Sequence, residues 1–177
     1  RLWPLFWLPE STAKSRDHLF PFQSWARGKH ITLTPGDVVD YKIVENEIVE
    51  FAETYELRVL GLYFDQHYAE EITQRLSERL GCERTAVAQS LMTLSPLCKE
   101  LERRISTGLV QHAGNLVMSW QVGHVGVGAD RNQNIRPVKP NSATGKSIDG
   151  VMACLDAMAG VASGVNGAMS EPSITFI

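Results

Sequence analysis

Two aspartates stand where a hard divalent cation could be held. Asp65 closes the apolar run Leu57 to Phe64, which reads as a buried strand. A carboxylate just past the end of a central strand lies on the rim where α/β proteins keep their sites. Asp149 stands in the first turn of a helix, and Ala153 and Asp156 follow at i+4 and i+7, so one face carries carboxylate, methyl and carboxylate. Carboxylate oxygens on rigid elements suit a hard divalent cation such as Mg²⁺, and two such ions roughly 4 Å apart can flank a phosphodiester displacement. Asp65 and Asp149 are the two candidate ligands, with Asp156 as a helper. Each has a plainer alternative: Asp65 caps the helix that begins near His67, and Asp149 is a partner of the helix dipole. His67 either touches a phosphate or is a surface residue at a helix start. Glu10 ends the opening strand, but Pro9 makes it a turn glutamate.

Charge adds a second signal. The formal net charge is −3, so the total does not argue for a nucleic-acid binder. From Ala129 to Lys146, however, Arg131, Arg136, Lys139 and Lys146 face only Asp130, which makes a local basic strip on an acidic body. That strip either holds DNA phosphates or is a set of solvated loop charges. Cys82, Cys98 and Cys154 are odd in number and widely spaced, which encodes neither a disulfide framework nor a zinc site and fits a reducing cytoplasm. Residues Arg1 to Leu8 do not read as a signal peptide, and no apolar run reaches the roughly 20 residues of a membrane helix. A Walker-type phosphate loop is excluded, because the first glycine before Gly145, Lys146 and Ser147 falls at Pro140.

The elements that must carry these residues alternate. An opening strand stops at Pro9, and a short strand is expected at His30 to Leu33. Asp37 is placed to cap a helix to about Tyr55, with Val44, Ile48, Phe51, Ala52 and Tyr55 inward and Lys42, Glu45, Glu50 and Glu53 facing away. After the Asp65 strand, a helix with Ala69, Ile72, Leu76 and Leu80 on one stripe ends at Gly81. A strand at Arg84 to Gln89 precedes a helix capped by Ser95, with Pro96 in its first turn, that runs to Thr107. Leu116 to Val127 and Ile135 to Lys139 are expected as a hairpin, Pro140 to Lys146 as a loop and Asp149 to Ala162 as a helix. This alternation predicts one α/β domain over 1–163, with a flexible tail over 164–177.

The order of motifs resembles the nuclease domain of tailed-phage terminase large subunits over about residues 2–160. The likeness rests on Leu5-Phe6-Trp7-Leu8-Pro9-Glu10, Trp25, Gly28, Thr34-Pro35-Gly36, Val39-Asp40-Tyr41 and Asp65. It continues through Gln89, Leu94-Ser95-Pro96, Leu101-Glu102, His112-Ala113-Gly114-Asn115, Trp120, Asp130, Asn134-Ile135, Pro137, Lys139, Ile148-Asp149-Gly150 and Ala153. The resemblance implies a ribonuclease H-like mixed sheet flanked by helices, with an extra hairpin that positions or gates DNA. It implies a two-ion Mg²⁺ or Mn²⁺ endonuclease that cuts concatemeric viral DNA during packaging. Asp65 matches the second acidic position and Asp149 the last, while the first acid is expected on a strand upstream of Arg1, so that either the sequence begins inside the domain or the fragment is inactive as it stands. Double-stranded DNA, the terminase small subunit and the portal ring are the implied partners, in the host cytoplasm and with no membrane. Two other readings compete: a non-catalytic docking module of the packaging motor, and another ribonuclease H-like nuclease of resolvase or transposase type.

Overall fold

The strand Arg58–Asp65 (here β3, after Trp7–Pro9, β1, and Thr32–Thr34, β2) is the organising element, because all but its two ends and Leu60 are buried. A strand with apolar side chains on both faces needs a layer on each. One layer comes from the helices Tyr41–Thr54 (α3) and Gln66–Leu80 (α4), whose Val44, Ile48, Ala52 and Leu76 pack with Val59 and Leu62. The other comes from Leu91–Ser106 (α5) and Asp149–Ala162 (α7), whose Leu94, Leu97, Leu155 and Met158 pack with Tyr63 and Val87. The fold is a computed structural model described for residues 1–139 and 145–164 and for the backbone of Ser173–Phe176.

β3 is flanked by Glu83–Val87 (β4) and Ser173–Phe176 (β7), both parallel to it. The connection through α4 returns the chain parallel, and the register sets Asp65 opposite Val87. Both strands therefore end on the same rim. β1 and β2 form a separate parallel pair, from Trp7 opposite Thr32 to Pro9 opposite Thr34. Beneath them Glu10–Arg16 (α1), Phe22–Arg27 (α2) and Leu116–Val122 (α6) close a cluster of Ala13, Phe22, Trp25, Ile31 and Val117. Glu47 of α3 ties this pair to the main sheet by accepting from Trp7 Nε1 at 2.7 Å and Thr32 Oγ1 at 3.0 Å.

α7 lies close enough to its neighbours that two positions admit only glycine. A Cβ on Gly160 would stand 2.5 Å from the Tyr63 ring, and one on Gly150 2.7 Å from Phe6. Both distances are below van der Waals contact, so the helix is seated at each end by a missing side chain.

Several expectations are corrected. Asp40, not Asp37, caps α3, its carboxylate accepting from Lys42 N. Glu45 does not face away: it is buried, paired with Arg75 at 2.6 Å and with Arg79 at 3.9 Å. Ser90 caps α5 by accepting from Thr93 N, so Ser95 lies inside the helix, buried, and Pro96 follows it there. Leu116–Val122 is a helix, because Asn115 Oδ1 accepts from Met118 N at 3.0 Å and supplies a cap. The hairpin is the shorter antiparallel pair Gly126–Ala129 (β5) and Ile135–Val138 (β6). Residues 140–144 of the expected loop, and most of the expected tail, lie outside the described residues.

Candidate active site

Three polar side chains meet at the rim where β3 and β4 end. Asp65 stands at the rim and caps α4, its Oδ1 accepting from His67 N at 3.0 Å, as the plainer reading of that residue expected. Gln89 follows β4 by two residues and donates from Nε2 to Val87 O at 3.1 Å and to Asp156 Oδ1 at 2.9 Å. Asp156 comes from the middle of α7 and is only 3% exposed. Burial pushes its carboxyl up to about 6; the Gln89 hydrogen bond pulls it down and the neighbouring Asp65 charge adds to the rise. Gln89 Oε1 is buried and has no hydrogen-bond partner, a rare state for an amide oxygen in a native fold.

Asp156 does not share a solvent face with Asp149 as the wheel suggested, for α7 is buried on most sides. Asp149 lies two turns away, a rise of roughly 10 Å. Its side chain is 80% exposed, 4.0 Å from Lys139 Nζ, and accepts from Ser147 Oγ at 2.6 Å. It lines a groove of about 470 Å³ whose walls include Phe6, Trp7 and Trp120 and whose mouth carries Arg16, Lys139 and Lys146. The structure therefore brings Asp65 together with Asp156 and leaves Asp149 at the groove.

The basic strip is divided. Lys139 and Lys146 line the groove, while Arg131 and Arg136 are exposed on and beside the hairpin. The hairpin docks on α5, with Ile135 N donating to Ser95 Oγ at 3.1 Å. Its turn is held by Asp130, which accepts from Asn134 Nδ2 at 2.9 Å and from the backbone of Asn134 and Asn132 at 2.8 Å. Those bonds, the Asn134 side chain foremost, hold the Asp130 carboxyl below the usual carboxylate range. Arg16 and the role of Gln89 were missed from sequence. The signal for Gln89 was its place two residues beyond a strand that ends beside Asp65.

Whether this site fits a hard divalent ion is a question of donors. Mg²⁺ is commonly held by one or two carboxylates, the rest of its shell being water and substrate phosphate. Asp65 and Asp156 form such a pair, and the orphaned Gln89 Oε1 lies beside it, so the residues fit an open site. Among the described residues no group of three or more His, Cys, Asp or Glu stands where it could hold a metal ion.

Residues 9–164 match the family described as terminase large subunit, endonuclease domain. Protein YmfN of Escherichia coli (strain K12) is 30% identical over 162 residues, which cover 88% of this chain and 35% of that protein. The terminase large subunit of Enterobacteria phage HK97 is 27% identical over 156 residues, 86% of this chain and 30% of the relative. The chain spans about a third of the length of these curated relatives. The crystal structure of the HK97 bacteriophage large terminase superposes with a TM-score of 0.72 at 23% identity, covering 87% of this chain and 32% of that one. That likeness shows the fold, the ribonuclease H-like α/β arrangement.

Proposed function

The chain belongs to the terminase large subunit endonuclease domain family, and on that premise we propose that it hydrolyses phosphodiesters of double-stranded viral DNA during genome packaging with Mg²⁺ or Mn²⁺. The observation that carries this reading is the convergence of Asp65 and Asp156 at the shared end of β3 and β4. A bound divalent ion supplies Lewis acidity toward the phosphate oxygens. The chain's own residues do the rest. Asp65 and Asp156 hold negative charge on rigid elements, and burial of Asp156 strengthens its attraction for a cation. Asp149, two turns along α7, places a separate carboxylate at the groove. Lys139 and Lys146 at the groove, with Arg131 and Arg136 by the hairpin, pair with backbone phosphates as charges that read no sequence. DNA, the small terminase subunit and the portal are the proposed partners, in the host cytoplasm.

The test is Mn²⁺-dependent nicking of supercoiled plasmid by the chain and by the polypeptide extended at its N-terminus. Asp65→Asn and Asp156→Asn are expected to abolish nicking with the circular-dichroism spectrum unchanged. Full activity in both folded variants would overturn the reading. Binding of a packaging partner without Mn²⁺ affinity would favour a docking module instead.

A further inference from the structure

We propose that Gln89 is a positioning residue: its side-chain amide fixes the Asp156 carboxylate in the orientation in which Asp65 and Asp156 share a divalent cation. The inference rests on the cation site proposed above. Its geometric basis is separate. Gln89 Nε2 has two hydrogens, and both are used, one on Val87 O at 3.1 Å and one on Asp156 Oδ1 at 2.9 Å. Because both neighbours are acceptors, the amide has only one favourable orientation, and a flipped oxygen would face two oxygens. Val87 pairs in register with Asp65. The amide is therefore clamped to the strand beside Asp65 and reaches across 67 residues of sequence to α7.

The cost of this arrangement points to function. With both donors committed, Gln89 Oε1 is left buried without a partner. An apolar side chain of similar length would remove that orphan, but it would leave the buried Asp156 Oδ1 without its donor. A residue that strands its own oxygen while bridging a strand end and a buried carboxylate fixes the position of that carboxylate. Outer-shell partners of metal-binding carboxylates behave in this way, and losing one commonly weakens metal affinity 10- to 100-fold.

The experiment measures Mn²⁺ affinity by calorimetry for the chain, Gln89→Met, Asp156→Asn and the double variant, alongside thermal unfolding. Gln89→Met keeps length and removes both donors. It is expected to weaken Mn²⁺ binding about tenfold or more in a chain that still folds, with a lower melting temperature because Asp156 Oδ1 loses its donor. In the Asp156→Asn background the same change is expected to cost nothing further, because Gln89 acts through Asp156. Unchanged affinity in folded Gln89→Met, or an equal further loss in the double variant, overturns the positioning role. If Gln89→Met does not fold, Gln89→Asn, whose shorter arm cannot span both acceptors, is read by the same criteria. Failure of the parent chain to bind Mn²⁺ overturns the cation site itself and this inference with it. Parent binding with an unaffected Gln89 variant overturns the positioning role alone.

Discussion

The two aspartates of α7 are the same residue on the same helix and live in opposite surroundings. Asp156 is buried, held by an amide and pressed by a second carboxylate. Asp149 is exposed, beside a lysine and a serine hydroxyl at the edge of a groove. Burial strengthens every charge interaction by lowering the local dielectric, whereas the exposed pair is screened by water and salt. Asp156 is thus the carboxylate whose charge matters most to a bound cation, and also the one whose charge costs the fold most.

The largest effect that could break this contrast is on catalysis. Asp156→Asn and Asp65→Asn should each lower Mn²⁺-dependent nicking by about a hundredfold or more. Asp149→Asn should lower it less, and an equal loss at all three positions would show that the three carboxylates act as one site. Stability should move the other way. The native pKa of Asp156, about 6, lies above the ordinary value of about 3.9, so the native state binds that proton more tightly than the unfolded chain. The resulting penalty is absent below about pH 4, grows between 4 and 6, and is full above 6. Asp156→Asn should therefore stabilise the protein by about 2–3 kcal/mol at pH 7.5 and by little at pH 4, read from urea unfolding. A gain that is the same at both values would contradict the burial argument.

Smaller effects sharpen the comparison. Gly160→Ala forces a methyl into the Tyr63 ring and should cost about 1–3 kcal/mol, with the better helix propensity of Ala offsetting part. Denaturant midpoints measure it, and an unchanged midpoint would mean that α7 can lift from β3. Last, Lys139→Ala should leave stability within about 1 kcal/mol, since its partner is exposed. It should weaken DNA binding and reduce the salt slope by about one. Filter binding at several salt concentrations would show an unchanged slope if Lys139 meets no phosphate.

Much of the framework was legible where local and long-range signals agree. β3 and the span of α7 could be read because a continuous apolar run and a first-turn acid leave few alternatives. Reading failed where two caps competed. Ser90 and Ser95 both precede apolar turns, and only packing of Ser95 beneath the hairpin excludes it as the cap. Leu116–Val122 is too short for periodicity to separate strand from helix, and Asn115 decides it. At the site, Asp65 was visible from its strand end. The pairing of Asp65 with Asp156 was not, because helical spacing shows which residues share a face and is silent on whether that face meets water. Glu45 misled for the same reason, its charge being paired by Arg75 from another helix.

The glycines that seat α7 have a last consequence. A helix notched against Tyr63 at one end and Phe6 at the other cannot slide along its axis without a clash. It behaves as a ruler. The roughly 10 Å between its two acids is therefore a fixed distance. The buried acid at the rim and the exposed one at the groove keep that separation for as long as both notches hold.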